Sequence, residues 1–164
     1  MKKPQNRFIL ESDLRLWVRK QAGEIPWWIE PSQGSTLGIP DCCIPIGGGR
    51  VAWLELKIGE MKDGRMTYRV RPEQRRQIKT MLEQQQSIAL LVGVSGSDIV
   101  AALTPTEEAL DGQITDMKRA FLDQKLLFCG EGTSTKSIDT RRLGNVELAV
   151  MLAEGQWPWT INQG

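Results

Sequence analysis

The 164-residue chain contains no histidine. That absence removes every imidazole acid, base or metal ligand, so any chemistry must rest on carboxylates, lysine or metal-bound water. Cysteine is scarce: Cys42, Cys43 and Cys129 make an odd number, and the first two are adjacent. Neighbours on a strand point to opposite faces, which suits no disulfide framework. With neither histidine nor a C-x-x-C pair, a structural zinc site finds no ligand set. These features predict a reducing, cytoplasmic setting. No apolar run reaches the roughly 18 residues of a membrane span, and the charged start MKKPQNRFILESDLRLWVRK lacks the apolar stretch of a signal peptide. An excess of one charge is also missing, with 21 basic against 20 acidic side chains. The distribution is uneven, however. Residues 1–20 carry six basic and two acidic groups, residues 57–79 eight and three, and residues 80–164 six and eleven. Two local basic patches fit a polyanion partner, and they equally fit two solvated faces.

What is present suits one globular domain over 1–164, since this length buries a core without staples. Leu10, Leu14, Trp17, Val18 and Ala22 form one apolar stripe, predicting a helix over 9–22 that stops at Gly23. IPWWIEPSQGSTLGIP reads as irregular, with turns near Pro31–Gly34. A strand over 41–46 needs an edge or a bulge at Pro45, and Gly47–Gly49 turns it into a second strand over 51–58. GEMKDGRMTYRV reads as a mobile loop with a short extended arm. Pro72 opens a helix to about Gln85, with Ile78, Met81 and Leu82 on one face. IALLVGV, 88–94, is apolar throughout, as in a strand buried on both faces. Strand, helix and strand together predict a right-handed crossover. A strand over 99–104, a helix from Thr104-Pro105-Thr106-Glu107 to about Leu122 with a capping-box start, a short strand in KLLFCG and a last helix over 144–154 follow. The expected class is α/β: a central mixed sheet flanked by helices, with an α-rich C-terminal extension.

The strongest local signal is charge inside an apolar strand. Glu55 and Lys57 interrupt WLELKI and, two residues apart, share a face with Trp53, while Leu54, Leu56 and Ile58 take the other. Ionised groups in such a strand need a partner or a metal. Asp41 begins the neighbouring strand, so the turn at 47–49 brings its carboxylate towards Glu55. Two close carboxylates repel unless a divalent cation lies between them. Magnesium takes oxygen ligands and keeps waters, which Asp41, Glu55, a backbone carbonyl such as that of Leu56, and water would satisfy. Lys57 would then orient the attacking water or steady phosphate charge. As three bare residues, they read as readily as a buried ion pair with a surface aspartate nearby.

Gly38-Ile39-Pro40-Asp41, thirteen further residues, then Glu55-Leu56-Lys57 resembles the core of the PD-(D/E)xK nucleases. RPEQRRQIKTMLEQQ from Arg71, followed by SIALLVG, is similar to the VRR-NUC and Holliday-junction-resolvase branch, in which a glutamine opens the helix after the catalytic strand; Gln74 matches it. The resemblance covers about residues 8–95; residues 96–164 carry no familiar motif. It implies a restriction-endonuclease-like core over 1–95 and Mg2+-dependent phosphodiester hydrolysis, with Mn2+ as a substitute. Asp41 and Glu55 would hold the metal, Lys57 would assist the water, and Gln74 would position the site. A first-helix glutamate often joins the metal in this family. Glu11 is the candidate and Glu30 the rival, although Glu11 also reads as an ordinary pair with Arg15. The implied substrate is DNA, branched or junction DNA in particular, cut by a homodimer. A flap, single-strand or restriction-like nuclease, and a non-catalytic DNA-binding protein of the same fold, are the alternatives.

Arg65, Arg69, Arg71, Arg75, Arg76 and Lys79 follow the catalytic strand, and Arg75 and Lys79 share a helix face. Such groups would contact phosphates without reading sequence; a solvated basic face is the other reading. Trp27 and Trp28 suit base stacking or core packing. Trp157 and Trp159 suit a dimer interface or a pinned tail. Gly47–Gly49 lacks the GK[ST] of a P-loop, and Ser95-Gly96-Ser97 has no histidine for a triad.

Overall fold

The computed structural model describes residues 8–22, 27–29, 38–47, 49–97, 99–123 and 126–129. Along these run α1 (Glu11–Ala22), β1 (Trp27–Trp28), β2 (Cys42–Gly47), β3 (Arg50–Lys62), β4 (Arg65–Thr67), α2 (Pro72–Glu83), β5 (Ser87–Val94), β6 (Val100–Leu103), α3 (Glu107–Leu110), β7 (Gln113–Ile114), α4 (Met117–Leu122) and β8 (Leu126–Cys129). Glu30, Trp157, Trp159 and the helix predicted over 144–154 lie outside the described residues.

β5 is the centre of a mixed sheet ordered β1-β2-β3-β5-β6-β8. Its seven residues from Ile88 to Val94 are all buried, as an apolar run covered on both faces must be. β5 runs parallel to β3, from Ala52↔Ser87 to Gly59↔Val94, with α2 as the crossover between them. The other pairs of this path are antiparallel.

The two faces have separate cores. Phe8 with Leu14, Trp17 and Val18 of α1 packs on Ala52, Leu54, Leu56, Ala89 and Leu91. Ile78 and Met81 of α2, with Ala109, Leu110, Ile114 and Met117, cover Ile88, Leu90 and Val92. Trp53 packs against the second core and Ile58 against the first, so the predicted alternation along β3 holds. Each fully buried large side chain contributes about 1.5–3 kcal/mol.

Four expectations are corrected. Leu10 is 63% exposed and Phe8 takes its place in the core; Leu10 precedes the first helical turn, where the Asp13 carboxylate accepts from the Ile9 and Leu10 N–H groups. The predicted loop after residue 58 is a hairpin: β3 runs on to Lys62 and returns as β4. Asp63 and Gly64, at φ 53 and 76, form its two-residue turn, the Asp-Gly signal of a primed turn. The helix predicted to Leu122 is two short helices divided by β7, because Gly112 turns the chain at φ 85 and an added Cβ would lie 2.4 Å from the Tyr68 carbonyl oxygen. The cap of α3 is Thr106, accepting from Ala109 N at 3.2 Å, so the helix starts two residues later than the capping-box pattern at Thr104 predicts, and Pro105 lies ahead of it. Pro45 does sit at a bulge, between Pro45↔Val51 and Gly47↔Arg50.

Candidate active site

The site forms where β2 starts and β3 continues without it. β2 reaches along β3 only as far as Cys42↔Leu54, while β5 follows β3 to Gly59. Asp41 stands at that step, and its Oδ2 accepts from Leu56 N at 2.7 Å, replacing the missing strand partner. An extended residue points its N–H and C=O to the same edge, so the Leu56 carbonyl faces the side from which Asp41 approaches. Gly38 lets the chain reach this position. At φ +83 it lies so near the start of α2 that an added Cβ would be 2.2 Å from the Glu73 carbonyl oxygen.

Glu55 and Lys57 leave β3 on the α2 face, 1% and 5% exposed. Gln74, in the first turn of α2 and also buried, ties them together. Its Nε2 donates to Glu55 Oε1 at 3.0 Å, while its Oε1 accepts from Lys57 Nζ at 2.7 Å and from Arg71 N at 3.0 Å. Lysine and a backbone N–H can only donate, so this amide has one permitted orientation. Lys57 Nζ lies 3.4 Å from Glu55 Oε1. Glu55 Oε2 is buried with no hydrogen-bond partner.

These groups open into a cleft of ≈ 410 Å³ lined by Glu11, Asp41, Glu55, Lys57, Arg69, Arg71 and Gln74. Burial first, and the Asp41 charge second, raise the Glu55 pKa to about 8, against the pull of Lys57. The Glu11 carboxyl, at the rim, is also raised, by desolvation and then by Asp41, with Lys57, Arg71 and Arg15 opposing. Glu55 therefore carries a proton at neutral pH unless a cation takes its place. The orphaned Oε2, the neighbouring Asp41 carboxylate and the Leu56 carbonyl edge form an oxygen donor set of the kind a hard divalent ion accepts. Among the described residues, however, no three acidic or thiol side chains are already gathered as a metal cage.

The structure thus brings together Asp41, Glu55, Leu56, Lys57, Gln74 and Glu11, and adds Arg69 and Arg71 from the basic segment. The other basic residues stand elsewhere. Arg75 pairs with Glu107 at 2.6 Å and with Asp111, and Lys79 pairs with Glu107 at 2.9 Å, so this face of α2 is fastened to α3. Arg65 and Arg76 are exposed outside the cleft. The contributions of Gly38 and of the Leu56 N–H were missed from sequence; the first had a signal, a glycine three residues before the aspartate, but nothing local announced its partner in α2. Cys42 is no nucleophile: burial, then Asp41, pushes its thiol up to about 12.

No protein-family model matches the chain, and no curated protein is similar to it in sequence.

Proposed function

We propose that this cleft is the active site of a Mg2+-dependent DNA endonuclease of the PD-(D/E)xK type, built on a restriction-endonuclease-like core. The observation that carries the reading is Glu55 Oε2: a buried carboxylate oxygen without a partner, beside a second carboxylate and a fixed ammonium. Buried polar atoms are satisfied in nearly all folds, so a carboxyl oxygen that no protein group satisfies, in a cleft beside a second carboxylate, fits a cation. Asp41 and Glu55 would hold the cation, with the Leu56 carbonyl and Glu11 within the same cleft. The ion supplies Lewis-acid polarisation of the phosphoryl group and a lowered pKa for water. Lys57, held by Gln74, presents its ammonium at a fixed point to an incoming phosphate oxygen. Gln74 keeps Lys57 and Glu55 in register. Arg69 and Arg71, at the cleft wall, contact flanking phosphates.

No base-reading element accompanies the cleft among the described residues, which favours a substrate chosen by shape, such as branched or junction DNA, cut by a homodimer. A second reading is a DNA-binding protein that keeps the fold without cleaving. It draws on the absence of a preassembled three-acid cage. Labelled four-way junction, flap and linear duplex, incubated with Mg2+ or EDTA, separate the two. Cuts that need Mg2+ and vanish in Lys57→Ala and Asp41→Ala establish the nuclease, and the preferred substrate fixes its type. Binding without cuts in Mg2+ or Mn2+ establishes the second reading.

A further inference from the structure

The segment that leads from the β3–β4 hairpin to α2 carries a pattern that the cleft chemistry uses only at its end. Exposure alternates along it: Arg65, Thr67, Arg69 and Arg71 are exposed, whereas Met66 and Tyr68 are buried. Val70, the next inward position, packs against the core under α2. Residues two apart share a face where the backbone is extended, and Arg71 is still extended at φ -73 and ψ 150. The outward side chains therefore form one row that advances about 6.6 Å per step, comparable to the separation of neighbouring phosphates on one strand. The row ends in the cleft, which Arg69 and Arg71 line.

The hairpin widens the row at its other end. Lys62 pairs with Arg65, and Glu60 with Thr67; residues directly opposed in a ladder project from the same face. Lys62 thus stands beside Arg65, two like charges whose opposition disfavours the hairpin. Glu60 adds one acid to this face. Among the described residues, however, no carboxylate forms an ion pair with Lys62, Arg65 or Arg69. Arg75 and Lys79 of α2 differ, being engaged by Glu107 and Asp111. The row is also held in place from behind. β4 pairs with β7, Met117 N donates to the Gly64 carbonyl at 2.9 Å, and Tyr68 N donates to the Gly112 carbonyl at 2.9 Å. The Tyr68 hydroxyl donates to the Ala109 carbonyl at 2.6 Å. A fixed row of donors spares a ligand the cost of ordering them.

We propose that Lys62, Arg65, Thr67, Arg69 and Arg71 form a single-strand track, a straight row of phosphate contacts that leads one nucleic-acid strand from the hairpin into the cleft. The inference rests on the nuclease reading for the identity of the polyanion. A flexible single strand can lie along the whole row, whereas the backbone of a duplex winds away from a straight one. The Thr67 hydroxyl donates where the row has no cation, and contacts of this kind carry no base sequence.

The test is equilibrium binding of fluorescein-labelled single strand and duplex to the full chain in EDTA, over a series of salt concentrations. Wild type is compared with Lys62→Gln/Arg65→Gln/Arg69→Gln and with two substitutions of equal charge change, Thr67→Glu in the row and Thr80→Glu on the exposed side of α2. Each is first checked by circular dichroism and thermal melting. The triple variant is expected to bind the single strand about tenfold more weakly at low salt, with a log–log salt slope lower by about two, since each phosphate contact to a single strand contributes about 0.7. Thr67→Glu is expected to weaken binding about threefold or more, and Thr80→Glu to leave it within about twofold. The single strand loses more than the duplex. Unchanged affinity and slope in the folded triple variant, or no wild-type binding at low salt, overturn the track, whatever the cleavage assays show. Equal losses in Thr67→Glu and Thr80→Glu overturn it too, because overall charge would then account for binding. So does a larger loss for duplex than for single strand. Because EDTA removes hydrolysis, a chain that cleaves nothing yet shows the expected losses keeps the track and loses only the nuclease reading.

Discussion

The two faces of β3 from Ala52 to Ile58 are built from one stretch of seven residues and obey different rules. Towards α1 stand Ala52, Leu54, Leu56 and Ile58, packed among apolar neighbours. Towards α2 stand Trp53, then Glu55 and Lys57, equally shielded from water yet charged or proton-bearing. On the first face burial stabilises the fold. On the second it raises the Glu55 pKa and leaves an oxygen without a partner, which costs stability. The comparison teaches that equal burial carries opposite meanings on the two sides of a single strand: towards α1 the side chains of β3 join a core, whereas towards the first turn of α2 they line the cleft, and only further along does α2 cover a core of its own with Ile78 and Met81.

Substitutions sharpen that contrast. Leu54→Ala, on the apolar face, is expected to cost about 2–5 kcal/mol in chemical denaturation, whereas Glu55→Gln on the opposite face is expected to leave the metal-free protein as stable or more so, while abolishing cleavage. The pH dependence comes next in size. The folded pKa of Glu55 lies above its ordinary value of 4.5, at about 8. The folded state therefore binds this proton more tightly than the unfolded chain. Its contribution to stability is fully present below about pH 4.5, declines as pH rises towards 8, and is flat above that. The unfolding free energies of wild type and Glu55→Gln, from chemical denaturation, should accordingly diverge across this window, by at most about 5 kcal/mol, with Mg2+ reducing the gap. Gly38→Ala should follow at about 1–3 kcal/mol, since the added carbon meets the Glu73 carbonyl in a backbone conformation that alanine resists; cleavage should fall further than the melting temperature suggests, because Asp41 moves with the loop. Smallest is Arg75→Gln. Its pairs with Glu107 and Asp111 are partly exposed, and surface pairs of this kind contribute about 1 kcal/mol or less. Its effect on DNA affinity should be smaller than that of Arg71→Gln, which opens directly on the cleft.

Much of this contrast was legible in the sequence. Period-two alternation in WLELKI assigns the two faces of β3 from residue types alone, and the structure follows it at Trp53, Leu54, Leu56 and Ile58. Asp41, Glu55, Lys57, Gln74 and Glu11 were singled out by motif and meet at one cleft. The misses have local physical causes. The hairpin over β3 and β4 was read as a loop because charge in GEMKDGRM outweighed its Asp-Gly turn. The long helix after Thr106 was drawn through Gly112, although a helix interior disfavours glycine. The basic stripe Arg75 and Lys79 was read as a DNA face because its acidic partners on α3 are more than 25 residues away, as in Lys79 and Glu107, and only tertiary structure brings them together. The basic row from Lys62 to Arg71 is of the same kind: Lys62 joins it only through the pairing of β3 with β4.

The central claim is that the second face of β3 keeps a buried carboxyl for a cation. The direct measurement is calorimetric titration of Mn2+ into the protein at pH 7 in two buffers of different ionisation enthalpy, for wild type and Glu55→Gln. The account predicts binding that releases close to one proton, from the carboxyl whose pKa is about 8, with both the binding and the release lost in Glu55→Gln. Binding that is unchanged in Glu55→Gln, or that releases no proton, would contradict it.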